Sequence, residues 1–220
     1  MPSQTKENYL KAIYSLEENG AKISVSALSK NMAVSIPTVN NMVKRLEQEG
    51  WVQYEKYRPI LLTDAGRKIA IDIMRRHRLA EMFLMEIMNF GWEEVHEIAE
   101  DLEHINSEAF FDRIDEMLSF PKTDPHGTAI PDKEGNIIKQ NYQQLFKFRI
   151  GETVVLRSLK NENKDFILFL NKKNITLGTE IKIENKEPFD DSIEVSYKDF
   201  HNILLTKEVC EKLLVEKVDK

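Results

Sequence analysis

The spacing of the apolar residues changes near residue 118, and this change limits the possible folds more than any other feature. Up to that point apolar residues recur every three or four positions, which is typical of helices with one buried face. After a loop at 119–141, strand-like runs follow at 153–156, 181–183 and 192–195, with a short helix expected at 165–170. The pattern predicts a mainly helical protein with a small β-barrel at residues 145–217.

The N-terminal part has the order of elements typical of a winged helix-turn-helix. Helices are expected at 4–18, 25–32 and 36–49, followed by two short strands at 51–55 and 60–63. Ser24 and Ser35 are placed as N-caps, and Pro37 lies in a first helical turn, where its missing N–H costs nothing. We therefore expect this segment to bind double-stranded DNA.

The third helix is the expected reader of the major groove, because the N-terminal residues of such a helix face the base edges. Asn can pair with adenine, and Thr can contact the thymine methyl group. The candidates for base contacts are Ser35, Pro37, Thr38, Asn40 and Asn41, and those for phosphate contacts are Lys44, Arg45, Lys56 and Arg58. A winged helix that serves only protein contacts is the alternative.

Charge is distributed unevenly along the chain. Residues 1–75 carry 11 Lys and Arg against 8 Asp and Glu, whereas residues 76–140 carry 6 against 15. A modest local surplus of positive charge supports contact with phosphates in the N-terminal part. The acidic middle part is where cations would bind.

Three further helices are expected at 65–88, 93–105 and 108–118, with Asp64 and Ser107 as N-caps. These helices carry more apolar surface than they can bury alone, so we expect a homodimer.

His96, Glu100, Glu103 and His104 share one helix face, and His77 and Glu81 are four residues apart on the preceding helix. Divalent metals accept such ligands. A Glu- and His-rich stripe is also typical of a solvated helix face.

The composition indicates a cytoplasmic protein. No apolar run approaches the ~18 residues of a membrane span, and the polar N-terminus lacks a signal-peptide core. The single cysteine, Cys210, excludes an internal disulfide and fits a reducing compartment. We expect Cys210 to pack as a small apolar residue, and we expect no membrane partner and no small-molecule substrate.

These features together resemble the diphtheria toxin repressor/manganese transport regulator (DtxR/MntR) family of metal-dependent repressors. The resemblance is carried by residues 9–14, 37–39, 62–66, 76–81, 95–104, 121–127 and 213–217. It implies a winged helix-turn-helix at 1–74, a helical metal-binding and dimerisation domain at 75–141, and a C-terminal SH3-like (FeoA-type) domain at 142–220.

The resemblance also implies two metal positions per subunit. One set is His77, Glu81 and His96, with Glu162 as a further member. The other set is Glu100, Glu103, His104 and Asn8, to which Asp124 could add an oxygen ligand.

Mn²⁺ is favoured over Fe²⁺ as the activating metal. The resemblance places a thiol at the position of Glu100 in iron-responsive members and a carboxylate in manganese-responsive ones. Asn8 stands where the family has Asp or Met, and its neutral amide is a weaker ligand.

The expected function is that of a homodimeric, metal-dependent repressor on a palindromic operator. The alternatives are an Fe²⁺-dependent repressor, a DNA-binding or scaffold protein with a solvated stripe, and a metallohydrolase. The hydrolase lacks the His-Glu-x-x-His spacing, so we expect no enzyme.

Overall fold

The computed structural model describes residues 2–18, 20–56, 58–160 and 163–218. The chain forms two compact units. Unit 1 comprises residues 1–77, 100–111 and 131–137, and unit 2 comprises residues 78–99, 112–130 and 138–220. The division into three domains expected from the sequence stays a prediction. Predicted ligand Glu162 lies outside the described residues.

The helical part of the chain follows the predicted order. Its elements are α1 (Gln4–Glu18), α2 (Val25–Asn31), α3 (Ile36–Gln48), β1 (Val52–Gln53), β2 (Leu61–Leu62), α4 (Asp64–Glu86), α5 (Val95–Leu102) and α6 (Glu108–Met117). The predicted bounds of these helices are confirmed to within three residues, and the two strands are shorter than predicted. None of the helices in the described part of the chain has the length and apolar character that crossing a membrane requires.

Unit 1 is built on the apolar faces of the first three helices. Leu10, Leu28 and Leu46 are fully buried, one from each helix. The Ser24 and Ser35 hydroxyls accept the N–H groups of residues three positions later, so both predicted N-caps are confirmed. The antiparallel pair β1–β2 completes the winged helix-turn-helix order.

The start of α4 differs from the prediction. Thr63, and not Asp64, caps this helix, because the Thr63 hydroxyl accepts the N–H of Gly66 at 3.1 Å. Asp64 is the first helical residue, where its carboxylate faces the positive end of the helix dipole. Gly66 is required there, since an added Cβ would lie 1.9 Å from the Trp51 carbonyl oxygen.

Unit 2 contains a six-stranded antiparallel sheet. After β3 (Gln143–Gln144) and a 3₁₀ turn (Leu145–Lys147) come β4 (Thr153–Leu159), α7 (Lys164–Lys172), β5 (Glu180–Lys186), β6 (Ile193–Tyr197), β7 (Phe200–Leu205), α8 (Lys207–Lys212) and β8 (Leu213–Lys217). The strands lie in the order β3-β8-β4-β5-β6-β7. This sheet agrees with the expected SH3-like architecture, so the mainly α fold with a small β domain is confirmed.

The core of the sheet is apolar and includes the single cysteine. Leu156, Ile183 and Val195 are buried in adjacent strands, and α7 adds Ile167 and Leu170. Cys210 is fully buried in α8, which confirms that it packs as a small apolar residue. Burial raises the pKa of the Cys210 thiol to about 12.

Candidate functional site

Predicted metal ligands gather in unit 1 around the end of α5. We call cluster 1 the residues His77, Glu100, Glu103 and His104 together with Glu7 and Lys11, which contact them, and Asn8, which follows Glu7 on α1. Its members come from α1, from the middle of α4, and from the C-terminal end of α5 and the turn after it. These segments are up to 97 positions apart in sequence, so only the folded chain brings them together.

Glu103 is the central carboxylate of cluster 1. Its side chain is fully buried, and its Oε2 atom accepts hydrogen bonds from Lys11 Nζ at 2.7 Å and His77 Nδ1 at 2.6 Å. Among the described residues its second oxygen, Oε1, has no hydrogen-bond partner and lies 3.7 Å from His104 Nε2. A buried carboxylate oxygen and a ring nitrogen thus face each other.

His104 is oriented by a residue that the sequence did not suggest. Its Nδ1 lies 2.6 Å from Glu7 Oε2. Because a carboxylate can only accept, Nδ1 carries the proton, and in the neutral ring Nε2 keeps the lone pair. A carboxylate bonded to the far nitrogen is the usual support of a metal-binding histidine. Asn8, next to Glu7, has a buried Oδ1 atom without a hydrogen bond from any described residue.

A second group of candidate ligands lies in unit 2. We call it cluster 2; it consists of Glu81, His96, Asp124 and His126. Donor atoms of Glu81, Asp124 and His126 all lie within 4.8 Å of one another, and all three residues are buried. His96 is 41% exposed in its side chain, and its Nδ1 lies 3.1 Å from Glu81 Oε1.

His126 is held in one tautomer. Its Nε2 lies 2.8 Å from the Trp92 carbonyl oxygen, which can only accept, so Nε2 carries the proton. The lone pair is then on Nδ1, which lies 3.8 Å from Glu81 Oε2 and has no hydrogen-bond partner among the described residues. The ring therefore presents a buried acceptor nitrogen to two carboxylates.

The loop that carries Asp124 and His126 is tightly constrained. Asp124 Oδ1 accepts the N–H groups of His126 at 2.8 Å and Thr128 at 2.9 Å. Gly127 has φ +84°, and a Cβ there would lie 2.0 Å from the Arg157 carbonyl oxygen. The loop therefore presses its backbone against β4, and only glycine fits at its tip.

The placement of the predicted ligands differs between the two sets. Glu100, Glu103, His104 and Asn8 all lie in unit 1, whereas Asp124 lies with Glu81 in cluster 2. The grouping of His77 with Glu81 and His96 stays a prediction, because the division between the two units falls within α4, after His77.

Three residues of the clusters were not among the predicted ligands. Glu7 and Lys11 are four residues apart on α1, so they share the face of Asn8. This helical spacing is the signal from which the sequence could have predicted both residues. His126 follows Asp124 by two residues in a Pro- and Gly-containing loop. The sequence identifies it as one of five histidines but does not show that its ring is buried.

The candidate DNA-binding residues lie at the surface of unit 1. Eight of the nine are exposed and Asn40 is half-buried. Asn40 Oδ1 accepts a hydrogen bond from the Tyr54 hydroxyl at 2.9 Å, which fixes the orientation of the amide. The two residues line a groove of about 640 Å³ with Lys44, Glu47, Gln48 and Lys56. Tyr54 is a further residue that the sequence did not suggest.

Comparison with known proteins connects these sites to a family. Residues 1–60 match the profile of the iron dependent repressor N-terminal DNA binding domain, and residues 63–132 match that of its metal binding and dimerisation domain. The iron-dependent repressor IdeR of Mycobacterium tuberculosis is 31% identical over 226 residues, which cover 97% of this chain and 97% of that protein. The chain belongs to the iron-dependent repressor family. Residues 144–217 match the FeoA domain.

Two further similar proteins are transcriptional regulators, and one of them is named for manganese. The HTH-type transcriptional regulator MntR of Oceanobacillus iheyensis is 34% identical over 145 residues, which cover 66% of this chain and 96% of that protein. A solved manganese-dependent transcriptional repressor in complex with manganese has a TM-score of 0.89 at 29% identity, over 97% of this chain and 100% of that chain.

Membership in this family confirms the resemblance expected from the sequence. It also confirms the expected general function, that of a metal-dependent, DNA-binding repressor. Members are metal-dependent, DNA-binding transcriptional repressors and not enzymes, so the metallohydrolase alternative is not supported. The buried acceptor atoms of the two clusters fit this family's need for a metal, because oxygen and imidazole nitrogen are ligands of divalent cations.

Proposed function

We propose that this protein is a cytoplasmic, Mn²⁺-activated repressor that binds a palindromic operator as a homodimer. Two metal positions per subunit are assigned, one in each cluster. The observation that carries the proposal is His126 Nδ1, a buried lone pair that faces the carboxylates of Glu81 and Asp124. In such a poorly hydrated site a divalent cation would be attracted strongly by the two carboxylates and the nitrogen lone pair, with the guanidinium of Arg78 beside it, 3.7 Å from Asp124 Oδ2.

Cluster 2 is the better prepared of the two positions. The Trp92 carbonyl fixes the ring of His126, and two backbone N–H groups fix Asp124 through its Oδ1 atom. Ligands held in this way by outer partners bind metal more tightly than ligands that must first be ordered. In cluster 1 the proposed ligands are Glu100, Glu103, His104 and Asn8.

The ligand chemistry favours Mn²⁺ over Fe²⁺. Both clusters offer only oxygen and nitrogen, and the single thiol of the chain belongs to Cys210, buried in the core of the sheet. A set without sulfur suits harder cations such as Mn²⁺. The solved manganese-dependent repressor named above supports the same choice. Fe²⁺ remains the second candidate, because IdeR is named for iron.

Metal binding would act on DNA binding through α1. Glu7 and Asn8 lie in the first turns of this helix, which packs in the core of the winged helix-turn-helix. Asn8 on α1 and Glu103 and His104 after α5 would hold a metal ion between them, and this link would keep the DNA-binding elements of unit 1 in one arrangement. In a homodimer, two reading helices would then match half-sites about one helical turn apart.

The test is operator binding by metal-stripped, full-length protein. Fluorescence anisotropy on an operator recovered from genomic fragments is compared in chelator, Mn²⁺ and anaerobic Fe²⁺ at ~0.15 M salt. We expect Mn²⁺ to tighten binding by ~30–150-fold, which corresponds to ~2–3 kcal/mol of coupling. Equal affinity in chelator would refute metal activation, and an equal response to Fe²⁺ would refute selectivity by the ligands.

A variant pair connects this response to cluster 1. Glu103→Gln keeps the shape of the side chain and removes its charge, so we expect a folded dimer that responds at least about tenfold less to Mn²⁺. Glu97→Gln on the exposed side of α5 is the matched control and should respond fully. A fully responsive Glu103→Gln variant would remove this residue from the site.

A further inference from the structure

Cluster 1 already contains a cation of its own, the ammonium group of Lys11. Its Nζ lies 2.7 Å from Glu100 Oε1 and 2.7 Å from Glu103 Oε2. The side chain of Lys11 is only 12% exposed, and that of Glu103 is fully buried. Lys11 thus joins the two carboxylates that the proposed function assigns to the metal.

An ammonium group and a divalent ion exclude each other at these oxygens. The ammonium has three N–H donors and no lone pair, so it cannot become a ligand. A cation bound by Glu100 and Glu103 would also stand within a few ångströms of the ammonium, and the two positive charges would repel strongly in a poorly hydrated site. Either the ammonium or the metal can hold this pair of carboxylates.

The position of Lys11 on α1 makes the exchange possible. Lys11 lies three residues after Asn8 and four after Glu7, so all three side chains point to the same helix face. The lysine stem has four flexible carbons, and its compact charge is strongly attracted to water. The ammonium can therefore leave the carboxylates without any displacement of the helix.

We propose that Lys11 is an internal counter-cation that competes with the metal for Glu100 and Glu103 and thereby sets the metal affinity of cluster 1. This inference rests on the proposed function. In metal-free protein the ammonium stabilises two carboxylates that would otherwise repel each other. Metal binding must release it, so the cluster responds only at metal concentrations high enough to outcompete a built-in cation.

The test measures Mn²⁺ binding and thermal unfolding of the full chain at one fixed pH. All proteins carry Glu81→Gln, which weakens cluster 2, so that the binding isotherm from the Mn²⁺ electron paramagnetic resonance signal reports cluster 1. Lys11→Met keeps the apolar stem and removes the charge. We expect its Mn²⁺ affinity to rise by at least about tenfold, because no ammonium has to be displaced.

Lys11→Met should bind Mn²⁺ more tightly, but in the absence of metal it should be less stable than its parent, the protein with Glu81→Gln alone. Without the ammonium, Glu103 loses its cationic partner, so metal-free Lys11→Met should unfold roughly 5 °C lower than its parent. Saturating Mn²⁺ should recover this loss. Lys11→Arg restores a cation and should stay within about threefold of the parent in affinity.

Lys6→Met is the matched control. Lys6 lies on the same helix and pairs with Glu49, away from the clustered ligands. Its loss should leave Mn²⁺ affinity unchanged. A general effect of removing positive charge would tighten Mn²⁺ binding in both variants and would overturn the assignment to Lys11.

The remaining outcomes separate this inference from the proposed function. Unchanged or weaker Mn²⁺ binding by Lys11→Met, with normal binding by the parent, would overturn the competition while the repressor function stands. If neither protein binds Mn²⁺, both proposals fail for cluster 1. Binding by Lys11→Met alone would support the competition and would show that Lys11 excludes the metal from the parent cluster.

Discussion

Cluster 1 and cluster 2 use the same ligand chemistry, but they compensate their negative charge differently. In cluster 1 a flexible lysine lies 2.7 Å from the carboxylates of Glu100 and Glu103. In cluster 2 the guanidinium of Arg78 forms an ion pair with Asp124, with Nε 3.7 Å from Oδ2, and donates a hydrogen bond to the Ala129 carbonyl oxygen at 2.7 Å. The cation of cluster 1 is a flexible ammonium that joins two carboxylates, whereas that of cluster 2 is a planar guanidinium that also binds a backbone carbonyl.

This difference implies two modes of metal response. Cluster 2 has a fixed imidazole lone pair and a fixed loop, so its ligands are in place before an ion binds. Cluster 1 must give up an ion pair first. We therefore expect cluster 2 to fill at lower Mn²⁺ concentration and cluster 1 to act as the regulated step.

The largest effect is expected from Gly127→Ala. The added Cβ would lie 2.0 Å from the Arg157 carbonyl oxygen in a backbone with φ +84°, so the loop of cluster 2 cannot keep its position. We expect a loss of roughly 3–5 kcal/mol in the free energy of unfolding, measured by urea denaturation. Bound Mn²⁺ should fall from two ions to one per subunit, because cluster 1 does not use this loop.

Gly135→Ala is the matched control for this substitution. Its φ is +85°, yet the added Cβ would meet only Ile71 Cγ2 at 3.4 Å. The expected cost is about 1 kcal/mol, from the left-handed backbone alone, with both ions retained. Two bound ions in Gly127→Ala would show that the loop does not build cluster 2.

The next effect is expected from His126→Gln. Removal of the imidazole takes away the one nitrogen ligand whose tautomer the backbone fixes, so Mn²⁺ affinity in cluster 2 should fall by about 100-fold. Titration with Mn²⁺ should then show cluster 1 filling first. His201→Gln, at an exposed position on β7, should behave as wild type. An unchanged order of filling would contradict the ranking of the two clusters.

A smaller effect, on operator affinity, is expected from Tyr54→Phe, which lies outside the metal clusters. Tyr54→Phe removes the hydrogen bond to Asn40 Oδ1, so the amide loses its fixed orientation toward the groove. We expect operator affinity in saturating Mn²⁺ to fall about three- to tenfold, as one hydrogen bond is worth about 1 kcal/mol. Metal affinity should not change.

A double-mutant cycle with Asn40→Ala tests whether the loss of operator affinity in Tyr54→Phe arises through Asn40. If Tyr54 acts by orienting Asn40, the double variant should bind the operator no worse than Asn40→Ala alone. Additive losses would show that Tyr54 contacts DNA independently.

The sequence indicated helical members of both clusters and missed other members for a physical reason. Glu100 and Glu103 follow a helical spacing, and periodicity together with the family resemblance predicts such sets. His126 depends on the Trp92 carbonyl and on a loop pressed against β4, and neither contact has a period. Lys11 was missed because its pairing with carboxylates about 90 positions away is decided by packing.

Prediction of the fold was likewise most accurate where neighbouring side chains decide the structure. Helix bounds and the caps at Ser24 and Ser35 were predicted closely, because the side chains that determine them are local. In the sheet, β3, β7 and β8 were not assigned, and β7 lacks the alternation of buried and exposed residues that marks a half-buried strand. The cap of α4 was misplaced by one residue because Thr63 and Asp64 are both good capping residues.

The smallest effect is expected at Cys210, and it tests the absence of sulfur from both clusters. With a pKa of about 12, only about one Cys210 thiol in ten thousand is ionised at pH 8, so the folded protein should resist iodoacetamide and react fully once unfolded. The thiolate fraction rises with pH, so alkylation should become faster toward pH 10. Cys210→Ala should bind Mn²⁺ with unchanged affinity and stoichiometry. Protection of a reactive thiol by added metal would instead place sulfur in a metal site and reopen the choice between Mn²⁺ and Fe²⁺.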